Sequence, residues 1–136
     1  MVYADKSEYY GEWVKGKKQG EGMYIYKNKD VYSGQWFNGK KHGNGTYVFN
    51  ATGMKYIGEW FENKFLSGKW TYPNGTYYEG QFQNNKPKGA GQWHFHNNNC
   101  LEGKYDQVIS PAENNTLETK LIWTHQWSII IHISII

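Results

Sequence analysis

A motif of aromatic residues and glycines recurs along this chain at an interval too short for a domain and too regular for chance. Tyr9 opens YYGEW, Tyr32 opens YSGQW, Tyr56 opens YIGEW, Tyr78 opens YEGQF and Leu101 opens LEGKY, at start-to-start offsets of 23, 24, 22 and 23. A second block follows each of the first four starts: Gly20-x-Gly22, Gly43-x-Gly45, Gly68 alone, and Gly89-x-Gly91. Aromatic pairs lie just beyond each block: Tyr24 and Tyr26, Tyr47 and Phe49, Trp70 and Tyr72, Trp93 and Phe95. Self-similarity of this kind marks an array of one supersecondary unit. The stretch from Val2-Tyr3 to Gly11 aligns without gaps on the stretch from Thr71-Tyr72 to Gly80, so the chain is expected to open inside the second half of an earlier unit.

Each unit reads as a β-hairpin. Strand side chains alternate between faces, so Tyr32, Gly34 and Trp36 share one face with Gly45, Tyr47 and Phe49 of the second strand. The same split puts Tyr56, Gly58 and Trp60 with Gly68, Trp70 and Tyr72. The opposite face is mixed, with Gln35, Glu59, Glu79, Gln81 and Gln92. Glycine within a strand weakens a sheet unless something lies close over the bare backbone. Here large rings sit beside each glycine, and a ring laid across it repairs the loss. Asn38-Gly39 and Asn74-Gly75 supply turns. One such hairpin cannot bury its ring face alone, whereas stacked units can. The expected fold is all-β: an elongated single-layer antiparallel sheet of about nine or ten short strands in consecutive hairpins, with little helix before residue 110. The array spans 1–105, and 106–136 is a short segment outside the repeat.

Composition narrows the function. Every basic side chain is lysine, and the formal net charge is +3. Bidentate contacts to phosphate and guanine depend mainly on arginine, so nucleic acid is not an expected partner. Cys100 is the single cysteine, so no intrachain disulfide is expected. The opening residues lack a basic stretch followed by an apolar one, so no signal peptide is expected and a cytoplasmic or cytoskeletal location fits.

The run YSGQWFNGKKHGNGTYVF, Tyr32 to Phe49, resembles the MORN repeat, whose pattern is roughly Y-x-G-x-W-x-x-G-x-x-H-G-x-G. The resemblance extends from residue 2 to about 105. The unit at Tyr32 fits throughout, including His42. The first unit carries Gln19 in the histidine position, and the fourth has Phe82 for tryptophan and Lys88 for histidine. The third departs most, with Phe65-Leu66-Ser67-Gly68 in place of the His-Gly-x-Gly block. Within the family the chain is similar to MORN proteins of the ciliary radial spoke head. Those too carry a degenerate unit followed by Asn-Lys-x-Pro before Gly-x-Gly, as Asn85 to Gly91 do here, and a cysteine before a final Gly-x-Tyr, as Cys100 precedes Gly103-Lys104-Tyr105. The resemblance implies a non-catalytic scaffold bound to other spoke subunits in the axoneme of a cilium or flagellum. The alternative is a module that binds acidic phospholipids or tethers a membrane to the cytoskeleton.

Candidate sites emerge from the faces. A single-layer sheet has no second layer to cover its rings, and large exposed apolar patches mark interaction sites. Partner binding is therefore expected at Tyr24, Trp36, Tyr47, Phe49, Tyr56, Trp60, Trp70, Tyr72 and Trp93. The competing reading is that these rings only stack on one another. Lys15, Lys17, Lys18, Lys27, Lys29, Lys40 and Lys41 lie near turns; they are either contacts for acidic lipid headgroups or, the favoured reading, solvated, edge-protecting charges. His94 and His96 share a face, but no further ligand completes a metal set, and no metal or cofactor is expected. No nucleophile–base motif points to catalysis. Ser110 to Asn115 reads as a loop, and Leu117 to Ile136, ending in WSIIIHISII, reads as a strand or strand pair that caps the array.

Overall fold

A computed structural model describes residues 1–125 of the chain. The described residues form ten strands: β1 (Glu8–Val14), β2 (Lys17–Ile25), β3 (Val31–Phe37), β4 (Lys40–Val48), β5 (Lys55–Phe61), β6 (Lys64–Thr71), β7 (Tyr77–Gln83), β8 (Lys86–His94), β9 (Cys100–Pro111) and β10 (Leu117–His125). They make one antiparallel sheet in sequence order, β1 to β10, with no crossover. The all-β, single-layer expectation holds. The loop expected near 110–115 is a turn at 112–116, and β9 runs through residue 105 without interruption. A strand begins at Leu117 as expected and pairs along β9, Leu117 opposite Pro111 and Trp123 opposite Tyr105. The apolar run from Trp127 to Ile136 lies outside the described residues.

Two turn chemistries alternate. Within hairpins the two-residue loops Lys15-Gly16, Asn38-Gly39, Glu62-Asn63 and Asn84-Asn85 have positive φ at both positions. That is the primed turn whose twist matches the flanking strands. In most of the other turns, including the one joining β9 and β10, an Asp or Asn side chain caps the reversal, while Thr52 does so between β4 and β5. The Oδ1 of Asp5, Asn28, Asn74, Asn97 and Asn114 accepts the backbone N–H of Ser7, Asp30, Thr76, Asn99 and Thr116 respectively. These are Asx-turns, in which the side chain adds to the backbone bonds of the same reversals, such as Lys29 N–H to the Tyr26 carbonyl.

The register produces a glycine ladder. Gly11 faces Gly22, which faces Gly34, and the line continues through Gly45, Gly58, Gly68, Gly80, Gly91 and Gly103. The bare stripe runs across the strands, and tyrosine rings lie on it. Tyr32 spans Gly34 and Gly45, with its Oη donating to the Gln35 carbonyl at 2.9 Å. Tyr9 and Tyr78 do the same over their own pairs, and the Tyr9 hydroxyl donates to the Glu12 carbonyl. A sheet without a second layer thus makes a core from its own rings on its own backbone. The buried members are Tyr9, Tyr32, Trp36, Trp60, Phe65, Tyr78, Phe82 and Tyr105.

The irregular third unit is built differently. Tyr56 does not cover the Gly58–Gly68 pair; it stacks on Phe65 at 4.8 Å and 9° and donates its hydroxyl to the Asn85 carbonyl. The other hairpins with bulges carry a left-handed glycine before the ladder, at Gly20, Gly43 and Gly89. The third unit has Ser67 near that place, and the strain passes to Gly58 and Gly68, at φ 156° and 138°.

Candidate functional site

The ring face has two tiers. In the lower tier the second and third units are stapled to the ones before them. The Trp36 indole donates to the Gly22 carbonyl and the Trp60 indole to the Gly45 carbonyl, both at 3.0 Å. Each also meets the preceding tyrosine edge-on, Trp36 on Tyr9 at 5.5 Å and Trp60 on Tyr32 at 5.4 Å. Trp36 is 5% exposed and Trp60 4%. For these two the internal-packing alternative describes their surroundings: their faces are already occupied by neighbouring rings and backbone. Trp13, in the first hairpin, is 41% exposed and has no such bond from its indole to a preceding glycine carbonyl among the described residues.

The upper tier is half-buried and open above. It comprises Tyr24, Tyr47, Phe49, Tyr56, Trp70, Tyr72 and Trp93, the other expected site residues, together with Tyr26. Its rings pack sideways, Tyr24 on Tyr26 at 4.6 Å, Tyr47 on Phe49 at 4.8 Å, and Trp70 on both Tyr72 and Trp93. Asp30, itself buried, anchors the tier by accepting from the Tyr47 hydroxyl at 2.7 Å and from the Asn50 N–H. Trp93 donates to the Tyr105 hydroxyl.

Two lysines lie among these rings, contrary to the solvated reading. The Lys18 ammonium lies within 6 Å of the rings of Tyr3, Tyr9, Trp13, Tyr24 and Trp36. Lys41 repeats the arrangement one unit on, with Tyr26, Tyr32, Tyr47 and Trp60 around it and a bond to the Tyr26 hydroxyl at 3.2 Å. Cation–π attraction offsets part of the lost hydration. Desolvation still dominates: it pulls the Lys41 pKa down from 10.5 to about 8 and lowers that of Lys18. Alternation carried the signal, since Lys18 and Lys41 stand an even number of residues before Gly22 and Gly45 and so share their face. Residue type argued the other way.

Burial raises the tyrosines too. Tyr26 and Tyr78 are pushed up to about 12, and Tyr32 and Tyr47 are raised as well, Tyr47 also through its bond to Asp30. The two shifts have opposite consequences for stability. Between about pH 8 and the ordinary lysine value of 10.5 the folded chain has released the Lys41 proton and the unfolded chain still holds it. The unfolded state then binds more protons, so stability rises with pH. Above the ordinary tyrosine value of 10.0 the unfolded chain ionises before Tyr26 or Tyr78 does, and stability falls. Urea midpoints measured across this range are expected to rise from about pH 8, turn over near pH 10 and drop steeply beyond it. Lys41→Met should remove most of the rising limb and leave the fall.

The remaining candidates resolve simply. His94 stacks on Tyr77 at 4.5 Å, and its Nδ1 lies 3.2 Å from the Cys100 Sγ. No group of three metal-ligating side chains occurs among the described residues. On the face opposite the rings, His42 lies between Phe37 and Phe61, at 5.5 and 5.7 Å.

The MORN repeat family model matches residues 9–31, 32–51 and 78–100. The third, irregular unit falls between the matched stretches, where Phe65 is buried and Tyr56 stacks on it. No curated protein shows significant similarity to the chain.

Proposed function

We propose that this MORN-repeat chain is a non-catalytic assembly scaffold that holds a protein segment along its ring face, in the radial spoke head of a ciliary or flagellar axoneme. MORN repeats are binding modules for proteins or membrane lipids. The observation that carries the protein reading is the upper ring tier. It is half-exposed, continuous from Tyr24 to Trp93, and without a second layer over it among the described residues. Trp70 in that tier has its indole N–H free of any protein acceptor among the described residues. An aromatic anchor with an unused donor suits the backbone of an extended or helical partner. The opposite face exposes Phe37 and Phe61 beside His42, but elsewhere carries Gln35, Glu59, Gln81 and Gln92, whose exposed polar contacts contribute little, on the order of 0–1 kcal/mol. The radial spoke setting, and with it an axonemal location, is supported by the run Asn85 to Gly91 and by Cys100 placed before Gly103-Lys104-Tyr105.

The test is to express the tagged chain in ciliated cells and isolate the axonemal complex. Trp70→Ala is expected to weaken retention of spoke subunits by at least about tenfold, in line with the ~2 kcal/mol of a desolvated aromatic anchor. Its melting temperature should stay close to that of the native chain. Glu59→Ala, on the opposite face, should change neither. Loss of binding by Glu59→Ala alone would make the polar face the interface. Strong, salt-sensitive flotation with phosphoinositide vesicles would favour the lipid module instead.

A further inference from the structure

The fold does not require a lysine where Lys41 stands. Lys41 pairs with Trp36 in the second hairpin; the corresponding pairs are Phe65 with Trp60 in the third and Pro87 with Phe82 in the fourth. Phe65 is 1% exposed, and Pro87 is fully buried. The position is therefore an apolar one that two units fill with apolar residues. An ammonium there loses hydration without a counter-ion: among the described residues the ion pairs are Lys69–Glu79 and Lys120–Glu118. Replacing such a charge by an apolar group is commonly neutral or stabilising.

A cavity of about 280 Å³ opens beside this ammonium, lined by Lys41, Tyr47, Phe49, Tyr56, Trp60, Asn63 and Asn85. The two asparagines come from the turns of the next two hairpins. Their carbonyl oxygens are already engaged: Asn63 Oδ1 accepts the Lys41 N–H and Asn85 Oδ1 accepts the Phe65 N–H, both at 2.9 Å. Each amide is thereby left with its NH2 donor. One cation and two amide donors set into an aromatic wall carry no acceptor of comparable strength.

We propose that this cavity is a socket for a carboxylate, an aspartate or glutamate of the partner segment, seated against Lys41. The proposal rests on the ring face being the partner-binding face. The socket holds a single positive charge and no arginine, which matches one carboxylate. A dianionic phosphate would need more cations than Lys41 alone supplies. The rings around it suit apolar residues flanking the acid, so the partner is an acidic–apolar peptide. Lys18 is ringed in the same way in the first hairpin, but the turn residue whose N–H bonds its carbonyl is Gly39, where Asn63 bonds that of Lys41, so it lacks that amide and the recognition is local to the second and third units.

The test selects peptides from a random displayed library on the immobilised full chain. Each binder is then synthesised with every Asp or Glu replaced by its amide. The native chain is compared with Lys41→Met and Trp70→Ala, each checked by melting. Binders are expected to carry an acid whose amide form binds about tenfold more weakly, a charge-assisted bond lost. On Lys41→Met the acid and amide peptides should bind alike. Binders lost on Trp70→Ala but indifferent to both Lys41→Met and amide replacement would overturn the socket and leave the ring face standing. Binders indifferent to Trp70→Ala and Lys41→Met would sink the ring-face reading itself. A library that yields no binder, or Lys41-dependent binding seen only with phosphoinositide vesicles, would also overturn the socket.

Discussion

Gly34→Ala is expected to unfold the array, although it adds one methyl group. A Cβ on Gly34 would meet backbone on the neighbouring strand, the Gly45 Cα and, at 2.5 Å, the Asn44 carbonyl oxygen. It would also come within 3.0 Å of the Tyr32 hydroxyl. A flexible side chain gives way to such an intruder; a strand pinned on both sides by ladder bonds does not. Either the β3–β4 pairing separates or Tyr32, fully buried, is lifted off its glycines. We expect a loss of about 3–5 kcal/mol, the range of severe core disruption, read as collapse of the thermal transition. Gly39→Asn is the control. Unlike Gly34, Gly39 has a left-handed φ, 82°, but nothing lies within 4 Å of its would-be Cβ, and asparagine tolerates that conformation. It should cost under about 1 kcal/mol.

Trp60→Ala should be nearly as severe, and the comparison with Trp13 makes the outcome informative. The two occupy the same place in the repeat. Trp60 is buried, bonds the Gly45 carbonyl, and packs on Tyr32, Tyr47 and Phe65. Removing it should cost about 3–5 kcal/mol. Trp13 is exposed, and Trp13→Ala should cost roughly 1 kcal/mol or less. Chemical denaturation of both variants checks this. Equal effects would mean that the motif tryptophan acts within its own hairpin and not as a staple to the unit before.

Much of this architecture was legible because the repeat displays its own alternation. The offset pattern gives the hairpins, and the parity of Tyr32, Gly34 and Trp36 gives the ring face. The division of that face into two tiers was not legible. Trp36 and Trp70 look alike in a linear pattern, but one falls on the first strand of a hairpin and reaches back over its neighbour, while the other falls on the second strand and stands clear. Lys41 was hidden by its residue type, since lysine beside a turn reads as solvated. Asn63 and Asn85 carry no local signal. Their bonds, to Lys41 and Phe65, span 22 and 20 residues and exist only once hairpins are laid side by side. The third unit was recognisable as irregular, yet no motif shows that Phe65 is buried opposite Trp60 with Tyr56 stacked on it.

The strand order has a mechanical consequence. Each strand is bonded only to the strands before and after it in sequence, and the chain enters at one edge of the sheet and reaches His125 at the other. Tension applied between Met1 and His125 therefore acts across the strands, along the antiparallel hydrogen bonds. Bonds loaded in this direction open one after another, as a zipper does, where strands pulled lengthwise would resist together in shear. The sheet should come apart from its edges inward at low force, one hairpin at a time, and recoil as readily. A segment lying along the upper rings bridges several hairpins at once, and so converts a compliant ribbon into a stiff one.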